Sequence, residues 1–213
     1  MTDVVQNAAP TGADGRTLSE RGVATRRRLL EAAEKVFSER GYQDASIVKI
    51  TEAAGVAQGT FYLYFSGKQE IFEELVMDLN SRVRHTISLK AREGKTRAET
   101  EELGFRAYFR FTAEHPALYR VLRQAEFASP DILRRHYERF LDGYVAGLRE
   151  AMERGEIEQA DPEVLAWVLM GIAELTGMRW VLWGDGGEIP EGTLDELDRI
   201  LRRLLGAAPG PGA

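Results

Sequence analysis

The sequence predicts an all-α protein of about nine helices, in which an N-terminal three-helix domain precedes a larger helical domain. Apolar residues recur at helical spacing from residue 25 to residue 205. The alternation of apolar and polar residues that is typical of a half-buried strand is absent. Gly residues end the first short helices, and Pro or capping residues open the later ones. With 213 residues, 44% of them hydrophobic, the chain can build a sizeable core.

Composition limits both the compartment and the kinds of site. The chain has no Cys, which excludes disulfides and thiolate metal sites and suits a reducing cytoplasm. Residues 1–24 lack the apolar core of a signal peptide. The longest uncharged apolar stretch, 164–173, has about half the length that spans a bilayer. We therefore expect a soluble cytoplasmic protein with no membrane partner.

Charge is distributed unevenly along the chain. The net charge of −6 argues against a surface that binds nucleic acid throughout. Residues 16–70, however, contain nine Lys/Arg against seven Asp/Glu, and the remainder is acidic. A slightly basic N-terminal region on an acidic body suits a DNA-binding module attached to another domain.

The first helix follows a polar tail. Residues 1–20 lack apolar periodicity and are predicted to be disordered, with Arg16 and Arg21 leaving open the role of a minor-groove arm beside that of an idle tail. Thr25 is a suitable N-cap, and Gly41 is a suitable end to the helix. Its buried face is predicted to consist of Leu29, Ala32, Ala33, Val36 and Phe37.

A helix-turn-helix pattern follows at about residues 45–64, within a predicted domain 22–82. Ser46 caps a short helix, Gly55 turns the chain, and a third helix is predicted over 58–64. Ser66 and Gln69 then have the spacing of a capping box, which opens a long fourth helix. A short helix, a Gly-bearing turn and a second short helix are the parts of a helix-turn-helix.

The stretch VAQGTFYLYF, residues 56–65, divides between core and surface. Phe61 and Phe65 lie at i and i+4 on one helix face and are predicted to pack against the first and fourth helices. On the other side, the Gln58 amide can pair with adenine, and Gly59 allows the backbone to approach DNA closely. Tyr hydroxyls at the edge of a groove can donate to phosphates.

Residues 25–77 closely resemble the DNA-binding domain of the TetR family of bacterial transcription regulators. The similarity is carried by TRRRLLEAAEKVFSERGY (25–42), by the S-x-x-x-I-T-x-A-A-G-V-A-Q-G-T-F-Y-L-Y-F pattern of 46–65, and by SGKQEIFEELV (66–76). The resemblance implies that Gln58, Gly59 and Thr60 contact bases or adjacent phosphates. It also implies phosphate contacts from Tyr62, Tyr64 and Lys68, and a cap from Ser46 beside the DNA backbone.

Some positions depart from that pattern or stay open. Ala57 stands where many relatives have a Ser or Thr N-cap, at a cost of about 1 kcal/mol to the third helix. Val48 cannot read a base as the Arg of some relatives does. Lys49 stays open between a phosphate contact and a solvated surface position. Of the three Arg at 26–28, we expect one or two to reach phosphate and at least one to face water.

The larger domain, residues 83–205, is helical and rich in aromatic residues, and residues 206–213 are predicted to form a flexible tail. Its large side chains suit either plain core or the wall of an apolar effector pocket. Glu174 lies within an apolar helix and stays open between a ligand contact, an ion pair with Arg179 or Arg123, and an interface. The candidate pocket consists of Tyr108, Phe111, Tyr119, Tyr137, Phe140, Trp167, Met170 and Glu174.

The last two helices suggest a dimer interface. Residues 164–182 are apolar nearly all round, and Ala173 and Gly177 would let another helix approach closely. A Leu stripe at 194–205 supplies a second apolar face. The TetR resemblance implies a homodimer joined by a four-helix bundle, and two-fold pairing calls for a near-palindromic operator. The predicted interface residues are Ala173, Gly177, Leu197, Leu201 and Leu204.

No catalytic chemistry is predicted. Ser46 and Lys49 match a penicillin-binding nucleophile motif, but its companion motifs are missing. Gly94, Lys95 and Thr96 lack the upstream Gly of a phosphate loop. His85, His115 and His136 lack metal-ligand spacing, so neither a metal nor a cofactor is expected.

We therefore predict a regulator, most simply a repressor, whose partners are a double-stranded DNA operator, a small and mostly apolar effector, and a second copy of the chain. The rival hypothesis is a helical small-molecule-binding protein or enzyme that retains a vestigial DNA-binding module. The presence of Gln58, Thr60, Tyr62 and Lys68 together favours the regulator.

Overall fold

The computed structural model describes residues 11–13, 15–184 and 187–207. Within these residues the prediction of an all-α protein with nine α-helices is confirmed, with one π-helix in addition. An isolated bridge between Thr11 and Thr17 is the one extended pairing in this part of the chain. The elements are α1 (Glu20–Asp44), α2 (Ile47–Ala54), α3 (Gln58–Phe61), α4 (Lys68–Ala91), α5 (Arg97–Glu114), α6 (Ala117–Ala128), α7 (Pro130–Glu153), α8 (Pro162–Gly177), the π-helix (Met178–Leu182) and α9 (Glu191–Leu204).

The chain forms two compact units, and their limits differ from the predicted domains 22–82 and 83–205. The first unit comprises the chain up to Met77 together with Arg120–Ile132. The second comprises Asp78–Tyr119 and the chain from Leu133 onward. Part of α6 therefore belongs to the unit that contains the helix-turn-helix, a long-range association that residue spacing does not express.

The first unit has a dense core built from α1 to α4. Phe37 of α1 and Phe72 of α4 pack edge to face, with ring centroids 5.1 Å apart. From α6, the Gln124 amide Nε2 donates to the carbonyl oxygen of Phe37 at 3.2 Å. Gly41 has a φ of 79° and breaks α1 near its predicted end. The largest fully buried side chains of this core are Leu29, Phe37, Ile50, Phe61, Phe65, Ile71, Phe72 and Leu75.

Helix α1 starts earlier than the sequence predicted. Ser19 caps it, and its Oγ accepts from the Gly22 N–H at 3.3 Å, so the helix begins before Thr25. The preceding residues fold back, and the Ala13 N–H donates to the Leu63 carbonyl at 3.0 Å. The predicted disordered tail thus includes residues with defined backbone contacts, while its residues 1–10 lie outside the described part of the chain.

The second unit has its core between α5, α7, α8 and α9. A smaller cluster joins Tyr119 to Met178 and Val181 of the π-helix. Arg106 of α5 holds α9 through Asp198, with Nη2 and Oδ2 at 2.7 Å. Gly143, with a φ of 78°, interrupts α7 where a continuous helix was expected. The main core contains Phe105, Phe109, Leu148, Met152, Leu165, Ala166, Leu169, Leu197 and Leu201.

Helix α8 and its π-helical continuation are unusually apolar. Among the described residues, Pro162–Leu182 is the one helical segment long and apolar enough to cross a membrane by length and composition. One side of it, with Leu165, Ala166 and Leu169, is buried in the protein core. Its other side exposes Val164, Trp167, Val168 and Leu175.

Candidate nucleic-acid interface and effector site

The helix-turn-helix is held by caps at both ends of α2. The Ser46 Oγ accepts from the Lys49 N–H at 3.3 Å, as predicted for a cap. At the other end Gly55 adopts the left-handed conformation with a φ of 63°. Arg28 then donates from Nη2 to the Ala54 carbonyl at 2.6 Å and to the Gly55 carbonyl at 3.2 Å. These bonds tie α1 to the turn, because they satisfy carbonyls that a helix end leaves without partners.

Two phenylalanines anchor the stretch that follows the turn. Phe61 and Phe65 are both fully buried, with ring centroids 5.5 Å apart, which confirms their predicted place in the core. The Arg26 guanidinium lies 5.2 Å from the centre of the Phe65 ring and pairs with Glu74. Helix α3 ends at Phe61 rather than Tyr64, and Ala57 provides no side-chain cap.

We call the exposed residues of this stretch, together with exposed Val48 of α2, the recognition surface: Val48, Gln58, Gly59, Tyr62 and Leu63. Tyr62 is 49% exposed and Leu63 is 63% exposed. A Cβ placed on Gly59 would meet no other atom within 4 Å, so the backbone there is open to a partner. Thr60 and Tyr64 are half-buried beside this surface.

The sequence prediction overlooked Leu63 and gave Val48 no positive role. In the predicted helix 58–64, a rotation of about 100° per residue sets Leu63 about 200° from Phe61, so the sequence pattern already indicated that Leu63 faces away from the core. Apolar side chains on such a surface can contact thymine methyl groups.

Lys68, a predicted phosphate contact, binds carbonyl oxygens within the protein. Its Nζ donates to the carbonyls of Tyr42 at 2.8 Å, Ala45 at 3.0 Å and Gln43 at 3.4 Å. It also lies 4.4 Å from the centre of the Tyr42 ring. Because an ammonium group has three protons, these carbonyls account for all of them. Lys68 thus joins the end of α1 to the start of α4 in the protein without DNA, and its contact with phosphate stays a prediction.

Two further polar predictions are refined at this end of the unit. The Lys49 Nζ donates to the Asp44 carbonyl at 2.8 Å, so it too has a partner within the protein. The reciprocal bond that opens α4 comes from Glu70, whose Oε2 accepts from the Ser66 N–H at 2.5 Å, and Gln69 takes no part in it. Arg27 pairs with Glu31 on the surface, so all three Arg at 26–28 contact protein groups.

In the second unit, some of the candidate pocket residues meet in what we call the tyrosine cluster: Tyr108, Tyr119, Tyr137 and Glu174. The Tyr137 hydroxyl donates to Glu174 Oε2 at 2.7 Å. The rings of Tyr108 and Tyr119 pack edge to face, 6.2 Å apart. Trp167 lies beside Tyr137, with ring centroids 5.9 Å apart.

Burial and neighbouring groups raise the pKa values of two tyrosines in this cluster. Burial raises the pKa of Tyr119 to about 12, and the Glu174 charge also raises it. Burial, together with neighbouring Tyr119 and Glu174, raises the pKa of Tyr108 well above its usual value. The buried Tyr119 hydroxyl makes no hydrogen bond of ordinary geometry among the described residues, although the hydroxyls of Tyr108 and Thr112 lie close enough to affect its pKa. It lies against Gly177, where an added Cβ would overlap its oxygen.

The other candidate wall residues belong to the second unit as well. Phe111 packs against His115, with ring centroids 4.5 Å apart, and the Arg82 guanidinium lies 6.0 Å from the Phe111 ring. Phe140 packs against buried His136 at 5.3 Å. Met170 is half-buried on α8. Among the described residues, no group of three or more His, Cys, Asp or Glu is arranged to hold a metal ion.

Comparison with known proteins identifies the type of the DNA-binding unit. Residues 29–75 match the family model described as bacterial regulatory proteins, tetR family, and these residues contain α2, the Gly55 turn and α3. Residues 29–75 thus form a TetR-type DNA-binding unit. Like its relatives whose names describe transcriptional regulators, the chain is a DNA-binding transcriptional regulator.

Individual similarities extend beyond the DNA-binding unit. The chain is 39% identical to the uncharacterized HTH-type transcriptional regulator YdgC of Bacillus subtilis over 108 residues, which are 49% of this chain and about half, 55%, of YdgC. It is 28% identical to the fatty acid metabolism regulator protein of Bacillus subtilis, over 72% of this chain and 82% of that protein. The structure of the regulator FadR from Bacillus subtilis in complex with stearoyl-CoA matches with a TM-score of 0.70 and 25% identity, over 84% of this chain and 96% of that one.

The structure also corrects part of the predicted dimer interface. Leu197 and Leu201 are buried in the core of the second unit, so a second chain cannot reach them. Gly177 is buried against Tyr119 of the same chain. Ala173 is half-buried, and Leu204 is 41% exposed, so these two remain available.

Proposed function

We propose that the chain is a homodimeric repressor that binds a near-palindromic DNA operator and leaves it when a small, mostly apolar effector binds. We also propose that it works in the cytoplasm and catalyses no reaction. The proposal rests on the recognition surface, whose exposed side chains can contact DNA and are held by the buried rings of Phe61 and Phe65. The family match of residues 29–75 supports the DNA partner.

The chemistry of the recognition surface favours contact with A·T base pairs. The Gln58 side chain is exposed, and a Gln amide pairs with the N6 and N7 atoms of adenine. Leu63 and Val48 offer apolar contact to the methyl group of thymine. Because Phe61 and Phe65 are buried, the exposed side chains are presented from a rigid base.

An electrophoretic mobility shift with the DNA upstream of the protein's own gene tests this proposal. Gln58→Ala should weaken binding to the preferred operator by about 5- to 150-fold, or ~1–3 kcal/mol, with little effect on random DNA. Gln69→Ala is the matched control, since Gln69 is an exposed Gln of the same unit that bonds to Glu73. Equal losses on operator and random DNA would contradict the role of Gln58, and no binding by the wild type would favour a vestigial module.

The proposed dimer uses the exposed side of α8. Val164, Trp167, Val168 and Leu175 are all exposed, and helical geometry sets them within about 100° of arc on one face. Ile200 and Leu204 of α9 are exposed as well. Apolar side chains on one face, opposite a buried face, suit a second subunit better than lipid, which would surround the helix. A dimer also provides the two recognition surfaces that a palindromic operator needs.

Light scattering of the full chain tests the dimer. Val168→Glu should yield a folded monomer at micromolar concentration. Phe127→Glu is the matched control, because Phe127 is 83% exposed on α6 of the other unit and its substitution should leave the dimer intact. A monomeric wild type would contradict the proposal, and binding of the wild type to vesicles instead would assign the α8 face to a membrane.

We further propose that the effector binds at the tyrosine cluster and lowers operator affinity. The buried hydroxyl without a partner and the adjacent carboxylate support a ligand site there. By linkage, the effector must bind the operator-bound dimer less tightly by the same factor by which it weakens DNA binding, typically about 5- to 150-fold. Calorimetry on free and operator-bound protein measures this difference, and equal affinities would contradict release by this route.

A further inference from the structure

The polar groups of the tyrosine cluster indicate which class of head group its ligand has. We propose that the effector joins an apolar body to a head group that donates a hydrogen bond, as an amine or alcohol does, and that Glu174 discriminates against carboxylates and acyl-CoA thioesters with their phosphates. This inference rests on the proposed effector site, and it deepens that proposal by naming the ligand class.

Glu174 provides the first part of the argument. Among the described residues it accepts one hydrogen bond, from the Tyr137 hydroxyl at 2.7 Å. A carboxylate has about four acceptor positions, so it retains capacity for a donor on a ligand. Its negative charge acts on the neighbouring hydroxyls, since it raises the pKa values of both Tyr108 and Tyr119. An anionic head group brought into this field would meet like-charge repulsion, whereas a cation or a neutral donor would be stabilised.

Tyr119 provides the second part. Its side chain is 2% exposed, and its hydroxyl makes no hydrogen bond of ordinary geometry among the described residues, with the hydroxyls of Tyr108 and Thr112 as its nearest polar neighbours by their effect on its pKa. A buried polar group without a partner is costly and suggests a role that a ligand completes. The hydroxyl lies against Gly177, three residues after Glu174 on α8. The two groups are therefore presented at adjacent positions along the same helix turn, which suits a single polar head group.

The residues around Tyr119 are apolar, and the segment that follows Gly177 departs from regular α-helical geometry. Tyr119 packs with Met178 and Val181, and Trp167 packs against Tyr137 with ring centroids 5.9 Å apart. Met178 and Val181 belong to the π-helix that follows Gly177 directly. Short π-helical segments inserted in helices occur frequently at functional sites. We therefore expect this chain to bind a different class of ligand from the similar FadR structure, which is in complex with stearoyl-CoA.

Three probes with one apolar body test the head group: 4-phenylbutylamine, 4-phenylbutanol and 4-phenylbutyrate, titrated into the full chain by calorimetry. We expect the amine and the alcohol to bind at least about tenfold tighter than the butyrate, the effect of one hydrogen bond to a charged group. Glu174→Gln keeps an acceptor for Tyr137 and should remove most of this preference. Glu163→Gln, an exposed Glu on the same helix, should keep it.

Several outcomes would overturn the inference. These are tighter binding of the butyrate or of decanoyl-CoA than of the amine, an unchanged order in Glu174→Gln, or no binding of any probe at millimolar concentration. Operator binding is measured on the same samples without probe. Loss of operator binding alone would refute the proposed repressor, while intact operator binding with the wrong order of probes would refute the head-group assignment.

Discussion

Replacing Tyr119 by Phe should stabilise the protein, although the change removes a polar group from its interior. The ring stays packed against Tyr108 at 6.2 Å and against Met178, while the buried hydroxyl that lacks a partner is lost. A buried polar group without a hydrogen bond costs about 1–3 kcal/mol. For a chain of this length, each kcal/mol raises Tm by about 2–4 °C, so we expect a rise of about 2–12 °C. Urea unfolding should show a higher midpoint with an unchanged m-value.

A double-mutant cycle with Gly177 checks the geometry behind this magnitude. Gly177→Ala should destabilise the wild type, because the new Cβ would overlap the Tyr119 hydroxyl oxygen. In the Tyr119→Phe background the cost should fall, with a coupling energy of about 0.5–3 kcal/mol. Gly192→Ala on α9 is the control, since its Cβ meets nothing within 4 Å and helix propensity alone should stabilise by up to about 1 kcal/mol.

The result that would refute the reasoning is a loss of stability of about 1 kcal/mol or more in Tyr119→Phe. Such a loss would mean that the hydroxyl has a hydrogen-bond partner in solution. Additive effects of the substitutions at Tyr119 and Gly177 would show that the two side chains do not meet. Either outcome would also weaken the argument for a ligand that completes this hydroxyl.

Three further predictions concern groups whose roles emerged from the structure. Burial and the charge of Arg84 lower the pKa of His136 to about 4, whereas an unfolded His titrates near 6.5, so stability should fall by about 1.4 kcal/mol per pH unit as the pH falls from 6.5 to 4. Urea unfolding at pH 7 and pH 5 measures this loss of stability. His136→Gln should reduce the loss by about 2 kcal/mol, whereas the control His85→Gln, at an exposed position, should leave it unchanged. Equal losses in the two variants would contradict the burial of a neutral His136. Lys68→Met should lower the free energy of unfolding by about 1–3 kcal/mol, because it removes the hydrogen bonds to the end of α1. If stability is unchanged and the slope of log K for DNA binding against log salt concentration falls by a full unit, Lys68 contacts phosphate instead. Leu201→Glu should abolish folding by circular dichroism, and Leu204→Glu should leave a folded protein with a weakened dimer by light scattering; the same outcome for both would mean that their burial does not differ.

Residue spacing predicted much of the DNA-binding unit because that unit depends on short-range rules. The i, i+4 pair Phe61 and Phe65 is buried as expected. Ser46 caps α2 and Gly55 ends it, since a cap and a left-handed turn each involve only a few consecutive residues. The all-α class followed from periodicity in the same way. The TetR-type unit likewise followed from about fifty residues in which several such local signals coincide.

Longer-range choices escaped the sequence. The stripe of α9 contains Leu197, Leu201 and Leu204 at helical spacing, yet two of them are buried in their own chain and one is exposed. Periodicity identifies an apolar face but not the element that covers it. The charge and position of Lys68 in the sequence predicted a phosphate contact. Only the fold brings the carbonyls of Tyr42 and Ala45 to its ammonium group.

The sequence by itself thus determined the class, the helix-turn-helix and the side chains available for DNA, because these depend on local conformational preference and helical period. The tertiary structure decided which apolar faces remain exposed, which cations are already bound to carbonyls, and that the hydroxyl of Tyr119 meets Gly177 without a partner. These properties depend on distances between residues far apart in the chain. Packing sets such distances, and no pattern of neighbouring residues encodes them.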